Sequence, residues 1–536
     1  MMYRNFIPLS CFVFALFSMF GCLGLGDSDQ NNTDGGQAVI DGDSDNTEGN
    51  LGSGDFTWTV APSTLSVYFQ SAHDSYDTDE NLQFIWDFGD GETGEGHSLN
   101  HEYAEPGEYT VSLTAKLSDG KEENSSQLVT VDGYGVVKWK FLLEDDEGGL
   151  EGGNGSMALS KDGTIYALVT PIGGARIIYS IAPDGTKNWK FEDFDYPRPG
   201  KCADPIFSNI SQTLYVICNT YSEPFPATNV YITYVTAISA SGQKKWTTVV
   251  PDEQVVPNLA VALNQSADNL SDILYLAANS NYIEEEIPNT VYKLTQNGNI
   301  TKSSYESDEQ LIGLAFGPSD NLHVLKINGT LEVLNSGMGL VWSYVQKTDT
   351  TLRGYMAIDE AGRVFIPLTT PAGLQALQFD VDRPNRLLWT YTTADYPGTP
   401  TINSKGQVSF IERGVGITTH EPDNGIPVWD VSQYAYTGVL GIAALENGTI
   451  IAEMENAQIV VSSDGERLPW GPPAIVTSVA TVAEDGTFYI YGRRDHDTVY
   501  SDAIYAIYGP SPILNSWTRH RGDNANTARL LSALED

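Results

Sequence analysis

The chain has 536 residues, with 29 Lys and Arg against 70 Asp and Glu, a formal charge of −41. Hydrophobic residues make up 41% and charged residues 18%, enough apolar material for large buried cores, so disorder throughout is excluded. So acidic a chain lacks the clustered Lys and Arg that phosphate backbones require and is repelled by anionic lipid, which argues against nucleic-acid binding and electrostatic membrane docking. At roughly 150 residues per domain the length predicts two to four domains.

Residues 1–21 hold one basic residue, Arg4, followed by an apolar run from Phe6 to Phe20. The run is short for a bilayer span and has the layout of a secretory signal. It ends in Met19-Phe20-Gly21-Cys22, which resembles the bacterial lipobox. That resemblance implies cleavage before Cys22 and lipidation of its sulfur, hence a lipid-anchored protein of the bacterial cell envelope, at the outer membrane and facing the periplasm or the surface. The alternative is an ordinary signal peptide with a chance Cys. Residues 22–55 follow as a tether: 23–55 contain eight acids, no Lys or Arg, and much Gly, Ser and Asn, a composition that stays extended. Asp27-x-Asp29-x-Asn31 and Asp41-x-Asp43-x-Asp45 lack the Gly at position six and the Glu at position twelve of a helix–loop–helix calcium site.

From Phe56 to Asp132 short alternating strands are punctuated by turns. Trp86-Asp-Phe-Gly-Asp-Gly91, His101-Glu-Tyr103 and Pro106-Gly-Glu-Tyr109-Thr-Val lie among them. This segment resembles the PKD (polycystic-kidney-disease) domain, which implies an Ig-like β-sandwich with the Trp and a later Tyr in its core and a spacer or binding role. Gly89 and Gly91 suit a turn with φ > 0, and Asp87 and Asp90 read as turn acceptors.

The next 400 residues repeat. One unit reads Ser156–Ser160, Asp162-Gly163, Thr164–Leu168, Ile177–Ile181, Asp184-Gly185, Asn188–Phe191: strand, turn, strand, loop, strand, turn, strand. The second strand recurs at Leu214, Leu274, Leu322, Val364, Val408, Thr449 and Phe488, and the fourth around Trp139, Trp189, Trp246, Tyr305, Trp342, Trp389, Trp429 and Trp470, with Tyr once in place of Trp. Eight copies of about 50 residues predict a ring. Trp139 precedes every other strand and the last unit lacks a fourth, so Val136–Phe141 is expected to complete it and leave no open edge. The Asp-Gly turns and Trp strands over 136–508, with Trp517-x-x-His-Arg-Gly-Asp523-x-x-Asn526-Thr527 in a tail (509–536) packing on the ring, resemble the PQQ-like (quinoprotein-type) eight-bladed β-propeller. The expected class is all-β: an Ig-like sandwich plus an eight-bladed propeller closed by its N- and C-terminal strands.

The resemblance does not carry the quinone. No Cys-Cys pair is present, and no carboxylate set for its calcium falls at matching positions, so neither PQQ nor any other cofactor is expected and calcium stays unassigned. Of the seven His only His97 and His101 stand in a His-x-x-x-His pattern; they fall in a segment of predicted strands with no Cys-x-x-Cys to complete a site, so zinc is not expected. Asp495-His496-Asp497, beside Arg493 and Arg494, reads as a solvated loop, as does His420-Glu421. Arg521-Gly-Asp523 belongs to the tail motif.

Three connections between second and third strands are long: Asn219–Asn229, Asn279–Asn289 and Gly492–Asp502. They belong to blades 2, 3 and 8 and form one arc with blade 1. The arc offers Tyr221, Phe225, Tyr282, Glu284, Glu285 and Glu286 as candidate binding residues, since aromatics stack on sugars or fill partner pockets. Loop drift is the plain alternative. Cys202 and Cys218 are equidistant from a turn near Ile210, so they face each other as a disulfide or as two buried thiols. The favoured reading is a noncatalytic envelope scaffold that binds protein or polysaccharide. The rival is an extracellular polysaccharide-active enzyme with ionisable groups at the propeller centre, although the first strands there read as apolar core.

Overall fold

The computed structural model describes residues from Asp55 to Gly509, interrupted by segments of which the longest are 74–81, 144–156, 170–175, 222–230, 251–260, 266–270, 280–287, 347–354, 379–386, 432–438 and 469–474. The leader (1–21), the tail beyond Gly509 and, Asp55 apart, the tether lie outside the described residues, as do Cys22 and Trp470.

Every described element is a strand or a turn. Two sheets form the sandwich: Phe56–Val60, Ser66–Ser71 and Ser98–Glu102 face Thr93–Glu95, Gln83–Asp87, Gly107–Lys116 and Glu122–Val131. Alternation puts Phe56, Val67, Phe69, Phe84, Trp86, Val111, Leu113 and Val129 into one core,. Trp86 and Phe88 share its interior, as their spacing requires. The indole N–H of Trp86 donates to Gly96 O at 2.8 Å, and the Tyr103 hydroxyl donates to Phe88 O at 3.1 Å. Asp87 accepts from Gly89 N and Asp90 from Glu92 N, both at 3.0 Å, so these carboxylates are turn acceptors.

Eight further sheets make the blades. Blade 1 takes Ala158–Leu159, Ile165–Val169, Ile177–Ile181 and Lys187–Phe191; blades 2 to 7 follow in chain order. Blade 8 contains Phe488–His496 and Val499–Ile507, and its fourth strand is Val137–Leu142, with Trp139 opposite Ala506. The early segment thus completes the last blade, as the offset of Trp139 predicts. Apolar cores lie at successive junctions, from blades 1 and 2 through 2 and 3, 3 and 4, 4 to 6, 6 and 7 and 7 and 8. The last joins blade 8 to blade 1 through Tyr489, Tyr491, Met157 and Leu159, so the ring is continuous.

The outer strands explain the recurrent Trp. Six blades carry a β-bulge at the start of the fourth strand, and the next pair in register is Ser180 with Trp189, Ala237 with Trp246, Val333 with Trp342, Ala376 with Trp389, Thr419 with Trp429 and Ala506 with Trp139. One extra residue re-aims the strand's side chains, and the indole is laid on the following blade. Trp139, Trp189, Trp246, Trp389 and Trp429 each donate their indole N–H, at 2.7 to 2.9 Å, to a carbonyl in that blade's next turn: Pro183, Ala240, Gln296, Pro422 and Ser463. The glycine of the same turn lies on the ring.

Blade 3 departs from this. Its irregularity falls between Thr290 and Tyr292, away from the turn, and Tyr292 pairs with Lys302. Tyr305 is therefore not the Trp equivalent expected from the repeat. It lies further along the strand, where its hydroxyl donates to Glu332 Oε2 at 2.6 Å.

Candidate binding face

The face away from the Asp-Gly turns is uneven because hairpins differ in length. The second strands of blades 1, 4, 5, 6 and 7 have five residues each. Those of blades 2 and 8 have nine and that of blade 3 has seven. At about 3.4 Å per residue, four extra residues lift a hairpin by roughly 13 Å.

The ladders show where the extra residues go. In blade 2 the pairing runs on through Cys218 with Tyr234 to Tyr221 with Tyr231. In blade 8 it runs through Gly492 with Ala503 to His496 with Val499. Asn219–Tyr221 and most of Gly492–Asp502, which read as loop, are therefore strand. Asp495 and His496 sit in this ladder and not in a loop. Both inner strands break in two to follow the tall hairpins: Pro199–Cys202 and Ile475–Val476 pair with the extensions, while Ile206–Ser208 and Thr481–Val482 pair with the ordinary parts.

The cysteines fasten one of these walls. Cys202 and Cys218 are register partners joined by a disulfide with Cα atoms 4.0 Å apart, and Asn209 to Gln212 form the turn between them. The bond ties the upper inner segment of blade 2 to the base of its raised hairpin. Between the walls lies blade 1. There the Tyr491 hydroxyl of blade 8 donates to Leu168 O at 3.1 Å, and Ser478 Oγ accepts from Tyr491 N at 3.0 Å. Burial, with the Asp204 carboxylate as a second cause, pushes the Tyr491 phenol far above its ordinary range. Asp204 is half-buried, in the break between the two inner segments of blade 2. No sequence pattern singles it out, since its position depends on where the inner strand breaks.

The described ionisable groups are largely engaged in structure. Asp272 is buried and accepts from Ser208 at 2.7 Å, from Ser211 and from Tyr215 at 2.8 Å, tying blade 3 to blade 2. Arg363 bridges Asp359 and Asp423. His420, expected in a solvated loop, is fully buried, because it ends a strand on the core side. Its Nε2 lies 2.9 Å from Thr418 Oγ1 and its Nδ1 3.0 Å from Gly425 O, and burial lowers its pKa. Among the described residues no group of three or more His, Cys, Asp or Glu is placed to hold a metal ion. Met157, Leu159, Leu314, Phe316, Met356, Ile358 and Ile442 on or beside the inner strands are buried apolar residues, as expected.

Of the candidate binding residues, Tyr221 ends the second strand of blade 2 opposite Tyr231. Phe225, Tyr282, Glu284, Glu285 and Glu286 lie outside the described residues.

In the sandwich, His101 Nε2 lies 2.7 Å from Asp90 Oδ2, and its ring stacks on Phe88 at 3.9 Å. Burial alone would raise the Asp90 pKa, but the Glu92 N–H and His101 bring it below the ordinary value. Residues 60–132 match the family model of the PKD domain. The sandwich is a PKD domain. It is 32% identical to the PKD1 domain of the Vibrio cholerae metalloprotease PrtV, a match covering 15% of this chain and 93% of that one at a TM-score of 0.13. Collagenase ColA of Bacillus cereus is 38% identical over 65 residues, 12% of this chain and 7% of the collagenase; the chain thus spans a small fraction of that relative's length. BamB from Moraxella catarrhalis covers 69% of this chain and 98% of its own at 11% identity and a TM-score of 0.47. The propeller assignment rests on the sheet order.

Proposed function

We propose that the chain is an extracytoplasmic scaffold, anchored through lipid on Cys22 to the bacterial envelope at its outer membrane, in which the PKD domain presents a noncatalytic propeller to protein or polysaccharide partners. One observation carries the binding reading: the raised hairpins of blades 2 and 8 stand on either side of blade 1, while five other blades keep five-residue second strands. Extra residues on a rigid scaffold are where recognition concentrates. Two walls stiffened by split inner strands, one with a disulfide at its base, lose little entropy on binding. The largely apolar inner strands and the structural engagement of Asp272, Arg363, His420 and Asp90 favour binding over catalysis, without quinone chemistry.

The test uses soluble residues 56–536 on a glycan array and in an envelope pull-down. A variant with residues 494–501 replaced by a two-residue turn is expected to lose the captured partner while keeping its fold. Equal capture by this variant and by one shortened across 222–230 would remove the raised arc as the site. Anchoring is tested separately: alkyne-palmitate labelling of the full chain should disappear in Cys22→Ser.

A further inference from the structure

We infer that, among the described junctions, the one between blades 3 and 4, which lacks the Trp–glycine contact, is where the ring opens. Five described junctions are closed alike: an indole N–H reaches the next blade's turn and a glycine of that turn lies on the ring, as with Trp139 and Gly185, Trp189 and Gly242, Trp246 and Gly298, Trp389 and Gly425, and Trp429 and Gly465.

At the junction of blades 3 and 4 both partners are changed. The turn glycine is replaced by Met338, which keeps the left-handed conformation at φ 67°, unfavourable for a side-chain-bearing residue. Its buried side chain joins the core containing Tyr275 and Tyr305. The carbonyl two residues earlier, which receives an indole N–H in four of those five turns, belongs to Ser336 and accepts from Lys293 Nζ at 2.9 Å. The same ammonium lies over the Tyr275 ring at 5.4 Å. Alongside, Glu332 of blade 4 accepts from Tyr305 of blade 3 at 2.6 Å and from Lys326 at 2.7 Å.

A partly buried polar junction is weaker than an aromatic one for a physical reason. Lys293 and the Lys326–Glu332 pair lose hydration on closing, and their attraction returns only part of that cost. When the junction parts, water solvates the ammonium and carboxylate again, whereas a parted Trp–Gly contact exposes apolar surface to water. The open state is therefore favoured at this junction relative to the five closed by Trp and glycine. Blade 3 also bears one of the long second-to-third connections, so the polar junction borders the raised arc. The inference stands whether or not that arc binds a partner.

Native-state hydrogen exchange on residues 56–536, followed by mass spectrometry at sub-denaturing urea, reads the opening directly. Amides of 300–307 and 331–344 are expected to exchange through an opening at least tenfold more populated than that governing 187–191, 244–249 and 427–431. Lys293→Met, which removes the charge and keeps the stem, should change exchange in blades 3 and 4 by about tenfold while leaving blades 6 and 7 unmoved. The inference is overturned if another junction exchanges first, or if all blades exchange through one common opening. It also fails if Lys293→Met and Glu332→Gln both leave the 300–307 and 331–344 rates unchanged.

Discussion

Gly298 lies against the indole of Trp246, one blade away: a Cβ at Gly298 would stand 2.9 Å from the ring's Cδ2. The recurrent glycine of the outer hairpins thus has two duties. Glycine supplies the positive φ of the turn, 81° at Gly298, and its missing side chain leaves room for the preceding blade's Trp.

This relationship predicts unequal costs for one substitution. Gly298→Ala should destabilise the propeller by about 2–4 kcal/mol, combining left-handed strain with overpacking. Gly362→Ala, at φ 75° but with nothing nearer than 3.9 Å, should cost only about 1 kcal/mol. Trp246→Ala should cost about 3 kcal/mol, and the double variant should fall short of the sum because the collision has gone. Urea unfolding of the four proteins checks the cycle; additive losses would mean the two residues do not interact.

His323 predicts a pH dependence. It is buried, its Nδ1 lies 3.1 Å from Asn321 O, and burial pushes its pKa down to about 4. The unfolded chain would protonate it near about 6.5. The folded state thus favours neutral imidazole, and its contribution is complete above the unfolded value. It is lost as pH falls from about 6.5 to about 4, a change of at most about 3 kcal/mol. His420 acts in the same direction. His323→Gln should flatten this limb of a stability–pH curve, and an unchanged slope would count against the assignment.

Asp90 acts at lower pH. Its pKa is below the ordinary value, so its contribution is present above the unfolded pKa and is lost as pH falls through the folded one. The pair with His101 is partly solvated, so Asp90→Asn should cost under about 1 kcal/mol at neutral pH. Melting of the isolated PKD transition, followed by Trp86 fluorescence, measures it.

The disulfide closes a separation of 16 residues, for which loop-closure entropy gives about 3 kcal/mol. Cys202→Ala with Cys218→Ala should lower stability by about that amount and speed exchange at 213–221 most. Uniform exchange changes around the ring would show that the bond does not act on the raised wall.

Tyr508 joins the two domains. Its hydroxyl donates to Glu105 of the PKD domain, Lys138 lies over its ring at 4.6 Å, and its backbone pairs with Gly135 and Val136. Tyr508→Phe should loosen the PKD domain without unfolding it, seen as a larger radius of gyration in solution scattering with both melting transitions retained.

The reading from residues was accurate where the signal is local. Trp86-Asp-Phe-Gly-Asp-Gly91 marks its own turn, the Asp-Gly pairs mark theirs, and Cys202 and Cys218 are set opposite by counting from one hairpin. The offset of Trp139 against Phe488 identified the closing strand because every other copy of the repeat was complete. What went unread depends on residues about fifty positions apart or on one-residue irregularities. A bulge beside Ser180 or Ala237 has no sequence signature, yet it decides which neighbour an indole meets; where blade 3 lacks it, Tyr305 only resembles a replaced Trp. His420 looks like a polar loop residue until the adjoining sheet buries it. The heights of blades 2 and 8 were hidden because strand pairing continues wherever partner backbones permit, whatever the side chains suggest. The order of strands and the number of blades are thus properties of the chain's own periodicity; the junctions between blades, and the face they raise, exist only once distant copies are packed together.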